Sequence, residues 1–262
     1  MTIAAAEGGS LSAVPFRGGG GDRVGAAWAR HGAQLLALVI AYALKAFYSR
    51  AGADELLFVL APSSWLARTL GGVELVHESG AGFISHADRL VVGPACAGLN
   101  FFIICFVVLS LSFSAAFARR ADDRRAWGRR ALLWVGISLG ISFAATVFTN
   151  GVRISLAARL YQAEIYGDLL TRERAHRLLG TVIYYASLLC VLTLVAHRLS
   201  ARVPRLMPLA GYVGILVLAP LLCRAHRSPG FWEHGVWVAS TAVVLTTLGW
   251  ALSRLRWGRG RR

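Results

Sequence analysis

Three residue types in this chain can do covalent chemistry together. Cys96, Arg153 and His176 each stand at the mouth of a different long apolar segment. A thiol, a guanidinium and an imidazole at one site suffice for cysteine-based acyl transfer. The thiolate attacks a carbonyl, the cation steadies developing negative charge, and the imidazole moves the proton. Cys96 follows Pro94, a favoured first residue of a helix. That places Cys96 in the first turn of the second apolar segment, where unpaired amides and the helix dipole favour an anion such as a thiolate. Gly98 leaves space for a substrate backbone to approach. Asn100, four residues on, shares the helix face and can donate a hydrogen bond. Arg153 follows Asn150 just beyond the third segment. His176 opens the fourth, with Gly180 one turn deeper; an unperturbed imidazole titrates near neutrality and suits proton transfer. Each has a plainer reading: Cys96 as a small helix-start filler, Arg153 as an interfacial cation, His176 as a solvated loop residue.

The elements that must position these residues are apolar helices. The chain has 262 residues, is 56% hydrophobic with a mean hydropathy of +0.57, and is only 16% charged. A soluble domain carries roughly a quarter charged residues. Six runs are long enough to be read as membrane spans: 33–48, 95–117, 131–148, 178–196, 206–222 and 235–252. The expected fold is all-α, a polytopic membrane bundle of about six helices. Residues 1–30, rich in Gly and Ala, read as a disordered cytoplasmic tail with no signal-peptide pattern. Residues 31–262 read as one transmembrane domain.

The net charge of +15 invites a nucleic-acid reading, but its distribution argues against one. Of the arginines, 17 fall on one side of the six spans and 10 on the other, while the acids fall 4 and 9. This asymmetry places both termini in the cytoplasm and Cys96, Arg153 and His176 on the outer face. Anionic lipid is the partner that the basic face implies. Lys45 is left inside the first span.

Between the first two spans, 55–70 reads as an interfacial helix or re-entrant turn broken by Pro62. Residues 73–92 alternate around Gly80 and Gly82 as a β-hairpin. Gly136 and Gly140 form a small-residue face for close helix approach. His77, Glu78, His86 and Asp88 could gather round a metal, but their spacing matches no helical zinc motif and polar hairpin positions explain them better. No metal or organic cofactor is called for. The sequence leaves open a Cys96–Cys223 disulfide, and His226 or His234 as the base in place of His176. His31 and His197 fall on the cytoplasmic side. Cys105 and Cys190 lie inside spans as packing residues.

Pro94-Ala95-Cys96-Ala97-Gly98-Leu99-Asn100-Phe101-Phe102 resembles the cysteine motif of the exosortase/archaeosortase family. Asn150-Gly151-Val152-Arg153-Ile154 resembles its arginine motif, and His176-Arg177-Leu178-Leu179-Gly180 its histidine motif. The resemblance spans about 33–196, and Glu78-Ser79-Gly80-Ala81-Gly82-Phe83 also fits. Ala97, where many members have serine, and the compact length are similar to the exosortase K-like subgroup. The resemblance implies a bacterial inner-membrane cysteine peptidase or transpeptidase. Its partners would be exported proteins bearing a C-terminal motif, apolar helix and basic tail. It implies Cys96 as nucleophile, Arg153 as support for the oxyanion or substrate, and His176 as base. The rival readings are an anion transporter and a non-catalytic membrane scaffold.

Overall fold

The computed structural model describes residues 20–118, 126–163, 166–167, 171–204, 206–222 and 230–259. The chain is mostly helical. Helix α1 is Gly20–Tyr48, α2 Leu57–Gly71, α3 Leu99–Ala118, α4 Ala126–Tyr161 and α5 Arg172–Leu199. Helices α6 (Met207–Val213) and α7 (Ala219–Leu222) are joined by a π-helical stretch, Gly214–Leu218, and α8 is Phe231–Arg259. Strands β1 (Val76–Glu78), β2 (Gly82–Ser85) and β3 (Leu90–Val92) form an antiparallel meander in the order β1-β2-β3.

Among the described residues, four helical stretches are long and apolar enough to cross a membrane: His31–Tyr48, Pro94–Phe117, Ala126–Tyr161 and Arg172–Leu199. The fifth expected span corresponds to a shorter apolar helix, Met207–Leu218. There Pro220 supplies no amide to the carbonyl one turn back, and the backbone widens into a π turn just before it. The sixth falls within the 29-residue α8.

Helix α3 is apolar all round, as a central helix should be, and lies at the centre of the bundle. Its Phe101, Ile104, Val108, Leu109 and Phe113 pack with Trp134 of α4, Tyr185 and Leu188 of α5, Tyr212 of α6 and Val238 of α8. Helix α2 lies on α4, burying Val59, Leu60, Ser63, Ser64 and Ala67. Large apolar side chains on the outer helices face outward, among them Leu35, Val39 and Tyr42 of α1 and Val243, Val244 and Leu248 of α8. Such surfaces are costly in water and suit a lipid solvent.

The structure corrects four local expectations. Helix α1 begins at Gly20, so 20–30 are helical and not a structureless tail; 1–19 lie outside the described residues. The expected two-stranded hairpin is a three-stranded meander, because the chain turns again after Ser85. Pro62 does not break α2: it withholds the one amide that would reach Phe58 O, and the helix runs on to Gly71. Gly136 and Gly140 receive no close neighbour. The tight approaches are elsewhere: a Cβ on Gly151 would lie 2.8 Å from Leu66, and one on Gly71 would lie 2.8 Å from Ser155.

Candidate active site

Cys96 closes a single 3₁₀ turn, Pro94–Cys96, and is not in the first turn of α3. Its amide donates to Gly93 O at 2.9 Å, and the Ala97 amide donates to Pro94 O at 3.0 Å. Gly98 then takes φ +71°, breaks the run and redirects the chain into α3. The expectation of a continuous helix from Pro94 overlooked this break. Gly98 serves the protein's own packing: a Cβ there would stand 3.0 Å from Tyr184 Oη and 3.3 Å from Thr146 Cγ2. A Cβ there would face α4 and α5.

Three helices fasten the Cys96 turn. From α4, Asn150 Nδ2 donates to Cys96 O at 2.7 Å. From α5, Tyr184 Oη donates to Asn150 Oδ1 at 2.9 Å. From α1, Tyr48 Oη donates to Pro94 O at 3.3 Å. The Tyr184 ring also stacks on Phe101, centroids 5.0 Å apart. Tyr48 and Tyr184 were missed from sequence because tyrosines within apolar runs read as packing residues. A signal for Tyr184 existed: His176, Gly180 and Tyr184 recur every four residues and share one face of α5.

Arg153, expected just beyond the third apolar run, lies inside the unbroken 36-residue α4, which continues past 148 to Tyr161. Its side chain is buried, at 7% exposure. The guanidinium lies near the Tyr184 hydroxyl and the Cys96 thiol. Its Cζ lies 5.4 Å from the Tyr184 ring centroid. Gly180 leaves room for it, since a Cβ there would meet Nη1 at 3.7 Å. The Arg153 Nε is buried without a hydrogen-bond partner.

His176 lies in the second turn of α5, whose first turn is capped by Thr171 accepting from the Arg174 amide. The ring meets Tyr161 edge-on, centroids 6.2 Å apart. It is close enough to Arg153 for the guanidinium charge to act on it. Its Nδ1 is buried with no partner. Among the described residues no hydrogen bond joins it to the Cys96 thiol, whose neighbours are Arg153 and, at 4.0 Å, the Val91 carbonyl.

Arg153, His176 and Asn100 line one cavity of about 310 Å³, with Tyr48, Tyr184 and His234. Ala95 and Gly98, on either side of Cys96, also line it. Asn100 is not carried round on the Cys96 helix face, because Gly98 intervenes; its Oδ1 accepts from Lys45 Nζ at 2.9 Å. Arg174 Nε bonds Glu233 Oε1 at 3.1 Å and ties the mouth of α5 to that of α8. His226 and Cys223 lie outside the described residues. The outer polar cluster resolves into pairs, His86 with Glu78 at 3.1 Å and Gln162 with Asp88 at 2.6 Å. Among the described residues no three His, Cys, Asp or Glu side chains gather as a metal site.

This arrangement places a buried cation on a cavity beside the Cys96 turn. It also places an imidazole with a free ring nitrogen on the same cavity. No protein-family model, curated protein or solved structure matches the chain.

Proposed function

We propose that this chain is a membrane-embedded cysteine peptidase or transpeptidase of the exosortase kind. It would cleave C-terminal sorting signals of exported proteins at the outer face of the bacterial cytoplasmic membrane. The observation that carries the reading is the buried Arg153 guanidinium near the Tyr184 hydroxyl and the Cys96 thiol, on a cavity shared with His176 and with Ala95 and Gly98 on either side of Cys96. A cation in that place can steady the negative charge that develops on a carbonyl oxygen attacked by the sulfur.

In this reading both termini are cytoplasmic and the chain crosses six times, α6–α7 and α8 supplying the last two passes. Helix α4 measures about 54 Å at 1.5 Å per residue, longer than a ~30 Å hydrocarbon core. Arg153, eight residues from its C-terminal end, therefore stands near the interface and not at mid-bilayer. The charge asymmetry between the two sides supports this orientation.

The substrate's own helix docks against the bundle and brings its scissile peptide to the cavity. The Cys96 thiol passes its proton through water in the cavity to His176, the thiolate attacks the carbonyl, a C–S bond forms, and the carbonyl electrons move to oxygen. Arg153 donates to the oxyanion. The intermediate collapses, the C–N bond breaks, and His176 gives its proton to the leaving nitrogen. Because His176 does not bond the thiol in the free protein, its partner is the substrate nitrogen across the cavity. Water or an amine then attacks the thioester, giving its proton to His176, and the thiolate leaves. Holding enzyme and substrate in one membrane plane supplies proximity, on the order of several kcal/mol.

Co-expression tests the reading. A precursor ending in a short motif, an apolar helix and an arginine-rich tail is expected to lose that tail only in cells that make this protein. Identical precursor masses in both cell types would refute it.

A further inference from the structure

We propose that Lys45 is a positioning residue that sets the Asn100 amide to donate to the developing oxyanion; the proposal rests on the peptidase reading. Lys45 is the single lysine of a chain with 27 arginines. It lies in the last turn of α1, within the apolar stretch His31–Tyr48. An ionisable group at such a position marks function and calls for a named partner. The partner is Asn100: Lys45 Nζ donates to Asn100 Oδ1 at 2.9 Å and stands 5.4 Å from the Tyr48 ring centroid.

That contact fixes the amide's orientation. An ammonium has only donors, so the atom facing it must be the amide oxygen. The Asn100 Nδ2 is thereby kept as a donor, and among the described residues no hydrogen bond uses it. Asn100 sits in the first turn of α3 and lines the cavity together with Arg153 and His176. The positive end of α3 and the ammonium behind the oxygen both polarise the N–H toward an anion. A compact lysine ammonium can face one amide oxygen, where a planar guanidinium would present a fork. Lys45 therefore acts through Asn100 and need not touch substrate.

The same roles can be stated atom by atom. As the Cys96 sulfur bonds to the carbonyl carbon, the oxygen gains the electron pair. Asn100 Nδ2–H and Arg153 share the resulting charge, and no proton leaves Asn100.

The test uses Asn100→Asp, Lys45→Met and the double variant. Asp at 100 keeps the Lys45 contact as an ion pair but cannot donate, so the fold is retained. Maturation of a precursor with an apolar helix and arginine-rich tail is followed in intact membranes, with Cys96→Ala as the reference for no chemistry. Iodoacetamide alkylation of Cys96 reports the integrity of the nucleophile separately. Asn100→Asp is expected to slow maturation about 10²–10³-fold at saturating precursor, as loss of one oxyanion donor does, with alkylation of Cys96 retained. Lys45→Met slows the parent but adds nothing in the Asn100→Asp background. Wild-type maturation by Asn100→Asp would overturn the proposal, as would a Lys45→Met effect equally large in both backgrounds. Normal maturation by Cys96→Ala would instead overturn the peptidase reading and this proposal with it.

Discussion

Asn150 holds the backbone carbonyl of Cys96 at 2.7 Å, and its own carbonyl oxygen is held by Tyr184 at 2.9 Å. One fully buried amide thus links the nucleophile's turn to α4 and α5. Both ends of the amide are used, so neither orientation nor rotamer is free. Asn150→Ala removes both bonds and leaves the Tyr184 hydroxyl and the Cys96 carbonyl short of a partner. Unsatisfied buried polar groups cost about 1–3 kcal/mol each. Thermal unfolding in detergent is expected to show a loss of that order. Precursor maturation should fall further than stability does, because the Cys96 turn loses its anchor.

Two glycines give opposite predictions. Gly98→Ala forces a side chain into φ +71° and within 3.0 Å of Tyr184 Oη. The backbone strain alone is on the order of 1–2 kcal/mol, and the displaced turn carries Cys96 with it. Gly180→Ala meets Arg153 only at 3.7 Å, an ordinary contact. The first variant is expected to lose both stability and maturation, the second to retain its stability. Parallel melting curves and precursor masses check the contrast.

Acid should loosen the outer meander before the bundle. Asp54 accepts from the Gly80 amide at 3.0 and 3.1 Å and from Ser79 Oγ at 3.0 Å, and it faces His77 Nε2 at 3.5 Å. The Gly80 amide, then the Ser79 hydroxyl, hold its carboxyl below the ordinary value of 3.8. A depressed carboxylate value stabilises the fold above the ordinary value, and that contribution is lost as pH falls through the folded one. Amide exchange across 76–92 is expected to speed up selectively below about pH 4. Asp54→Asn should flatten the dependence and bring faster exchange to neutral pH.

The long elements were legible because length and apolarity suffice to define them. Four of the six apolar runs lie within single helices, 95–117 begins in the 3₁₀ turn before α3, and 206–222 is divided among α6, a π stretch and α7; among the described residues four stretches meet the length and hydropathy of a span. The nearness of Arg153 and His176 was legible too, since alternating helices return them to one side. Local breaks were not. Nothing in the Pro94–Phe102 pattern separates a helix start at Pro94 from a 3₁₀ turn ended by Gly98, because the deciding contact comes from Tyr184, 86 residues on. The third span was read as ending near Phe148, with a helical continuation or interfacial helix over 154–162, and the burial of Arg153 between them was not read. In the fold, Gly180 and Tyr184 make a buried place for it, so α4 continues. The Lys45–Asn100 pair joins two helices across 55 positions, and no local pattern announces such a contact.

If the Cys96 sulfur is the nucleophile, its replacement must stop maturation. The decisive measurement is the mass of precursor C-termini in cells carrying the wild-type chain, Cys96→Ala or Cys96→Ser. Truncated C-termini are expected with the wild-type chain, with full-length precursors accumulating under Cys96→Ala and at best slow truncation under Cys96→Ser. Truncation under Cys96→Ala at the wild-type rate would contradict the claim.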